Sequence, residues 1–378
     1  MKEIEIIEQI KKGIPFEGLR GIKLTDVLLE QKDSKSISNN SSYNLPNSSD
    51  LTLIIDFSGI QIIFIGEIKS LVTPKILEQI SPWLTRVRDS KSKQSYILIT
   101  PYITTNSQNY CLNNDINFLD LSGNLFIKIP GKVMIQRLDQ PNKFPVKQIL
   151  RNPFWGASSR VLRVLLQYPK RIWSVSEIEN ELVKESEIQK VDFKLSLASI
   201  SKTIRSLDEE LLIRRDQREI LVPEPKQLLF KWAEKYREMN RRTMTEGMDM
   251  KNPFSAEVAP ASKALMGTLV NIENYAVSGT VAANFIAPYT NVDRIFMQVI
   301  QKKLPFGPLP VQDSIGPEFD LSVAKDKGVF MYAKEIEGVR IASDIQIYLD
   351  CYSKGGRDLK QADYLFEKVI AKRWAGND

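Results

Sequence analysis

The 378-residue chain contains no histidine and only two cysteines. Without histidine, Ser-His-Asp triads, His-ligated zinc sites and imidazole acid–base catalysis are all excluded. Cys111 and Cys351 lie far apart in the sequence and fit neither a disulfide framework nor a thiolate metal site. Any catalysis must therefore rely on carboxylates and lysine.

Long apolar runs are also missing. No run approaches the roughly 18–20 residues that are needed to span a bilayer. The beginning of the sequence alternates glutamates with isoleucines and lacks the layout of a signal peptide. We therefore expect a cytoplasmic protein with no membrane partner, and the length predicts two or three domains.

The net charge of +6 is concentrated in the middle of the sequence. Residues 151–242 hold 19 Lys and Arg against 14 Asp and Glu, whereas residues 243–378 hold 15 against 17. A basic middle segment favours a polyanionic partner, although a soluble surface can carry the same charge.

The clearest local pattern is a β-hairpin over residues 51–68, with Ser58 and Gly59 as its two-residue loop. In this register Asp50 lies directly opposite Glu67, and Lys69 follows on the same face. Opposed like charges are unfavourable unless a positive group intervenes, and Lys69 or a divalent cation would supply that charge. The alternative is that Glu67 and Lys69 form a solvated strand end.

The three residues resemble the PD-(D/E)xK nuclease core, with Asp50 as its aspartate and Glu67 and Lys69 as its ExK motif. The resemblance implies a restriction-endonuclease-like αβββαβ domain over residues 1–145. It also implies that Asp50, Glu67 and Lys69 are catalytic, with Asp50 and Glu67 as the metal ligands for Mg²⁺ if the site is active.

Other parts of residues 1–145 carry weaker predictions. Residues 1–31 are predicted to be helical, and the Ser- and Asn-rich residues 33–50 are predicted to form a loop that could cover the site. Helices near 74–87 and 107–112 and a strand at 95–100 are predicted from apolar spacing. Asp120 is predicted to stabilise the turn at 122–124 rather than to bind metal.

The middle segment, residues 146–245, is predicted to be a winged helix-turn-helix domain followed by a helix. Helices at 159–168, 174–182 and 197–207 precede a hairpin with a basic tip, and residues 183–194 make the second connection unusually long. The third helix is predicted to bury Leu197. The candidate DNA-binding residues are Ser199, Lys202, Thr203, Arg205, Arg215 and Arg218. A winged helix used only for protein contacts is the alternative.

Residues 246–378 are predicted to form a C-terminal α/β partner or regulatory domain. Six of its residues could line a partner or ligand surface, or could serve only as turns and helix caps: Tyr275, Gly279, Asp344, Gln346, Asp350 and Arg357.

Several short segments, in their order along the chain, resemble the AbiEi-type transcriptional regulator and antitoxin family of type IV toxin–antitoxin systems. The segments are 66–70, 99–102, 118–124, 161–165, 275–279, 287–289, 343–350 and 355–357. The resemblance implies a double-stranded DNA-binding regulator, with a nucleotidyltransferase-like toxin or a second copy of the chain as partner. The alternative is a Mg²⁺-dependent PD-(D/E)xK DNA endonuclease targeted by the winged helix.

Overall fold

The computed structural model describes residue 1 and residues 3–29, 50–84, 94–145, 152–241, 248–250, 275–290, 294–300 and 318–376. The chain is a mixed α/β protein, as the sequence predicts. Its contacts divide into two compact units, Met1–Ile149 with Glu209–Leu211, and Leu150–Asp208 with Leu212–Asp378. Among the described residues, no helix is both long and apolar enough to cross a membrane. The proposed loop 33–50 lies outside the described residues, apart from Asp50.

The first unit is built on one seven-stranded sheet whose strands follow chain order. Its elements are α1 (Glu3–Lys11), β1 (Ile22–Leu29), β2 (Leu51–Phe57), β3 (Ile60–Ile68), α2 (Pro74–Leu84), β4 (Gln94–Thr100), α3 (Thr105–Asn113), β5 (Phe118–Asp120), β6 (Leu125–Ile129) and β7 (Val133–Arg137). The pairs β3–β4 and β4–β5 are parallel, and the other neighbouring pairs are antiparallel.

Both faces of this sheet are covered by helices. Ile6 and Ile10 of α1 pack with strand residues on one face. Leu77 of α2 and Cys111 of α3 pack with strand residues on the other. Burial on both faces is consistent with the continuous apolar run at residues 96–99 in the middle of β4.

The hairpin predicted over residues 51–68 is confirmed. Phe57 pairs with Ile60, and Leu51 pairs with Gly66. Ser58 and Gly59 both have positive φ, at 53° and 96°. This is the backbone that a two-residue type I′ loop requires, and it sets the register of the pair.

The helix predicted for the second half of residues 1–31 is wrong. Only Glu3–Lys11 is α-helical, and Ile22–Leu29 is strand β1, paired antiparallel with β2. The register shifts between Leu24 and Asp26. Such an irregularity breaks the two-residue alternation, so the apolar spacing looks helical although the segment is extended.

The second unit begins with three helices and a hairpin and continues into a six-stranded sheet. Its first elements are α4 (Ser159–Gln167), α5 (Val175–Gln189), α6 (Leu197–Glu209), β8 (Arg214–Asp216), β9 (Glu219–Leu221) and α7 (Pro225–Arg241). The remaining elements are β10 (Met248–Met250), β11 (Tyr275–Ser278), α8 (Gly279–Ile286), β12 (Arg294–Val299), β13 (Glu318–Val323), β14 (Lys334–Ile336), β15 (Val339–Ile341), α9 (Asp344–Lys354), α10 (Gly356–Leu365), a π-helical turn (Phe366–Ile370) and α11 (Ala371–Ala375). The sheet has the strand order β10-β13-β12-β11-β15-β14.

The bounds predicted for the connection between the second and third helices are wrong. A capping box of Ser174 and Glu177 begins α5. The helix continues to Gln189, seven residues beyond the predicted end, so the connection is residues 190–196. The added turns contain Glu185, a buried carboxylate whose Oε2 accepts a hydrogen bond from the Tyr332 amide at 3.0 Å. The charged sequence suggests a solvated loop, whereas this tertiary contact keeps it helical.

One hydrophobic core runs through the second unit. It includes Leu165 of α4, Ile204 of α6, Trp232 of α7, Val277 of β11 and Leu349 of α9. Residues 146–245 and 246–378 therefore share a core, where each was predicted to be a separate domain.

Candidate functional sites

Asp50 lies immediately before β2, and its carboxylate contacts the backbone of β3. The Asp50 amide donates a hydrogen bond to the Gly66 carbonyl at 3.2 Å, and Asp50 Oδ2 accepts one from the Ile68 amide at 2.8 Å. That amide belongs to the peptide bond between Glu67 and Ile68. The Asp50 carboxylate thus lies beside the backbone of Glu67, as the hairpin register predicts.

Lys69 adds a positive charge to this cluster. Its Nζ donates a hydrogen bond to Glu67 Oε1 and forms an ion pair with that carboxylate. The Glu67 side chain is 16% exposed and the Lys69 side chain 36%, so the pair remains accessible to a ligand. The Lys69 amide also donates to the Ile99 carbonyl at 2.9 Å, which extends the β3–β4 pairing to the end of the motif. The structure therefore brings Asp50, Glu67 and Lys69 together.

The donor set of this cluster suits a hard cation. In the described residues, no group of three or more His, Cys, Asp or Glu could hold a metal ion, so a cation here would have the Asp50 and Glu67 carboxylates as its acidic ligands. Mg²⁺ is often held by one or two carboxylates, with water and substrate phosphate oxygens completing the shell. Each carboxylate oxygen can also accept more than one contact, so the hydrogen bonds already present leave room for a cation.

Asp56 and Asp120, two other aspartates of this sheet, have structural roles. Asp56 Oδ1 accepts a hydrogen bond from the Gly59 amide at 3.0 Å and stabilises the hairpin loop. Asp120 is fully buried and accepts hydrogen bonds from the Asn124 and Ile103 amides at 2.8 and 3.0 Å. Burial raises the pKa of Asp120, while these hydrogen bonds lower it. The turn-stabilising role predicted for Asp120 is confirmed.

The surface of α6 differs from the expected one at Leu197, Thr203 and Ser206, and Ser206, which was expected to be exposed, is buried. Lys202 and Arg205 are exposed as predicted, and Ser199 is half-buried. The expected exposure of Thr203 is wrong, because its side chain is fully buried and donates a hydrogen bond to the Ser199 carbonyl at 2.9 Å. The expected burial of Leu197 is also wrong, since this first residue of α6 is 45% exposed. The polar face is narrower than predicted, and it has an apolar edge.

The β8–β9 hairpin exposes two of the predicted DNA-binding residues. Arg215 lies in β8 and Arg218 in the two-residue loop, and both side chains are exposed. Trp173 anchors the hairpin, because its amide and carbonyl exchange hydrogen bonds with Ile220 at 2.8 and 2.7 Å. The basic side chains are therefore carried by a hairpin that is fixed to the core at its base.

The chain matches no protein-family model, no curated protein and no solved structure.

A buried polar cluster in the second unit was not predicted as such. Asp350 of α9 is 3% exposed and accepts hydrogen bonds from the side chains of four residues: Tyr236 at 2.8 Å, Gln346 at 2.8 Å, Gln298 at 3.1 Å and Ser278. Burial raises the pKa of Asp350, while the hydrogen bonds from Gln346, Ser278 and Tyr236 lower it. Gln346 and Asp350 are four residues apart and are the only polar side chains among the otherwise apolar residues 345–351 of α9, and this pattern could have revealed the cluster.

Four of the six residues suggested as a partner or ligand surface in residues 246–378 instead make contacts within the second unit. Gln346 and Asp350 are buried in this polar cluster. Asp344 pairs with Arg373, with 3.0 Å between its Oδ2 and Arg373 Nε. The hydroxyl of Tyr275 accepts a hydrogen bond from the Arg340 amide at 3.3 Å. These side chains support packing within the second unit.

Proposed function

We propose that the chain is a double-stranded DNA-binding protein that uses residues 159–221 as a winged helix. The observation that carries the proposal is that exposed basic side chains occupy both α6 and the hairpin that follows it, Lys202 and Arg205 on the helix and Arg215 and Arg218 on the hairpin. Three helices followed by a hairpin is the element order of this DNA-binding module, in which the third helix enters the major groove.

The connection between α5 and α6 is shorter than the sequence predicts, which favours the same proposal. A recognition helix must protrude far enough for its side chains to reach base edges. Residues 183–189 belong to α5, so the irregular segment that precedes α6 is residues 190–196 and is shorter than the loop predicted from the sequence. Lys202 and Arg205 would then contact bases and phosphates, and Arg215 and Arg218 would add phosphate or minor-groove contacts.

We further propose that this binding regulates transcription of the chain's own operon. The resemblance to AbiEi-type regulators and antitoxins supports this role, and it also supports a nucleotidyltransferase-like toxin or a second copy of the chain as partner. Neighbouring genes bear on this directly, because an adjacent nucleotidyltransferase gene would favour the antitoxin role.

The DNA-binding proposal predicts that Lys202→Ala and Arg205→Ala each weaken binding to the operon's promoter. The expected loss is about 5- to 100-fold for a side chain that contacts a base, and each phosphate contact that is lost reduces the slope of log affinity against log salt by about 0.9. Titrations of labelled promoter and random duplexes at several salt concentrations measure both quantities.

Lys334→Ala is the matched control, because it removes one exposed lysine from β14, outside α6 and the hairpin. It should leave both the affinity and the salt slope unchanged. If the wild-type chain binds promoter and random DNA equally at moderate salt, the regulatory proposal fails.

The convergence of Asp50, Glu67 and Lys69 favours a second function, and we propose Mg²⁺-dependent cleavage of DNA by the first unit. The order α1-β1-β2-β3-α2-β4 is the αβββαβ order of restriction-endonuclease-like domains. A bound Mg²⁺ would stabilise negative charge that develops on the phosphate and would lower the pKa of a bound water. Asp50 and Glu67 would hold the cation, while Lys69 would orient water and place positive charge beside the scissile phosphate.

A further inference from the structure

The first turn of α6 exposes apolar surface in basic surroundings. Leu197 is 45% exposed, and the neighbouring Ala198 is exposed as well. Lys194, just before the helix, and Lys202, about one turn further on, both have exposed side chains. A solvent-facing turn between two lysines is expected to be polar, so two adjacent apolar residues here need a physical reason.

The helical spacing places these residues beside the basic side chains of α6. Ala198, Lys202 and Arg205 follow one another at intervals of four and three residues, which puts them on one face of the helix. Leu197 lies at the edge of that face. The surrounding positive charge favours a polyanion over an apolar protein surface as the occupant.

In the major groove, each base pair presents hydrogen-bond donors and acceptors, and the only apolar group is the C5-methyl group of thymine. Residues at the N-terminal end of a recognition helix are those that contact base edges. We propose that Leu197 and Ala198 contact thymine C5-methyl groups and give the chain a preference for thymine at one or two positions of its site. This inference rests on the proposed DNA-binding function and adds a base preference to it.

Deoxyuridine provides the direct test, because it pairs like thymidine but lacks the methyl group. Duplexes selected from a random library by the full wild-type chain are resynthesised with deoxyuridine replacing one thymidine at a time. Loss of one buried methyl group should weaken wild-type binding by about 4-fold at one or two positions. Leu197→Ala and Leu197→Gln should bind the thymidine and deoxyuridine duplexes equally at the position that Leu197 contacts.

Val323→Ala is the matched control, since Val323 is an aliphatic residue that is 41% exposed at the end of β13. This variant should keep the full sensitivity to deoxyuridine. The inference is overturned if wild-type affinity is the same with deoxyuridine at every position. It is also overturned if both Leu197 variants and Ala198→Gly retain the wild-type sensitivity. If the wild-type chain selects no duplex at all, the DNA-binding function itself fails, and this inference fails with it.

Discussion

Replacing Glu67 by glutamine is expected to reduce Mg²⁺-dependent cleavage of duplex DNA by at least about 100-fold, because loss of a group that only supports a metal ligand already costs 10- to 100-fold. Glutamine keeps the size of the side chain but removes the negative charge that would hold the cation. Asp50→Asn should reduce cleavage in the same way, because it also removes a negative charge that would hold the cation. The local structure should be kept, since the asparagine oxygen can still accept the hydrogen bond from the Ile68 amide. Gel assays with plasmid, linear and branched DNA in Mg²⁺ or Mn²⁺ measure the loss.

Asp56→Asn is the matched control for these variants. Asp56 belongs to the same hairpin, but it stabilises the loop at the opposite end from Glu67, through the Gly59 amide. An asparagine oxygen can accept the same hydrogen bond, so folding and cleavage should both be retained. DNA binding by α6 and the hairpin should also survive in Glu67→Gln, which separates loss of cleavage from loss of binding.

The nuclease proposal requires that the wild-type chain itself cleaves DNA. If pure wild-type chain leaves all three DNA substrates intact in both metals, the nuclease proposal is wrong. Equal cleavage by the wild-type chain and Glu67→Gln would instead assign the activity to a contaminant or to another site. Neither result would affect the DNA-binding proposal, which rests on the second unit.

The second large effect is expected from Asp350→Ala, which should lower the free energy of unfolding of the second unit by about 3–5 kcal/mol. The substitution leaves four side-chain donors without their shared acceptor, and three of them, Ser278, Gln298 and Gln346, are buried. The negative charge of Asp350 also acts on the buried Arg163. Desolvation lowers the pKa of Arg163, and the Asp350 charge offsets part of that shift. Removing Asp350 therefore makes the charged form of Arg163 less favourable. Urea unfolding followed by tryptophan fluorescence suits this measurement, because four of the five tryptophans, Trp155, Trp173, Trp232 and Trp374, belong to the second unit.

Asp350→Asn is the isosteric control, because asparagine keeps an acceptor oxygen and the shape of the side chain. Its cost should be clearly smaller than that of the alanine variant. An Asp350→Ala chain that unfolds at the wild-type urea concentration would show that the cluster contributes little to stability.

Asp350 should also make the stability of the second unit depend on pH. Burial raises the folded-state pKa of Asp350 above the value in the unfolded chain, which is about 3.9. The folded state therefore binds this proton more tightly, and the stabilisation is fully present below the unfolded pKa. The stability of the wild type relative to Asp350→Asn should fall as pH rises from about 4 and become constant above the folded pKa. Unfolding curves at successive pH values test this, and a difference that does not vary with pH would contradict it.

The local sequence was sufficient to predict the central hairpin and the cluster at its end. The loop at Ser58 and Gly59 sets the pairing of the two strands, and the two-residue period of a strand then decides which side chains share a face. Asp50 and Glu67 could be paired from this rule alone. The capping box of α5 was predictable for the same reason, since Ser174 and Glu177 are only three residues apart.

The segments that were predicted wrongly all depend on contacts between residues far apart in the sequence. Ile22–Leu29 is a strand because it pairs with β2, and the bulge that accommodates this pairing hides the strand period. The last turns of α5 stay helical beside Tyr332, which lies far along the chain. The polar cluster around Asp350 draws its members from α7, β11, β12 and α9.

By itself, the sequence determined the mixed α/β class, the register of the 51–68 hairpin and the residue types available for chemistry, because these follow from composition and near-neighbour geometry. Only the tertiary structure decided which polar residues remain on the surface. It buried Thr203 and Asp350 and exposed Leu197, because the burial of a side chain is set by the elements that pack around it and not by its own polarity.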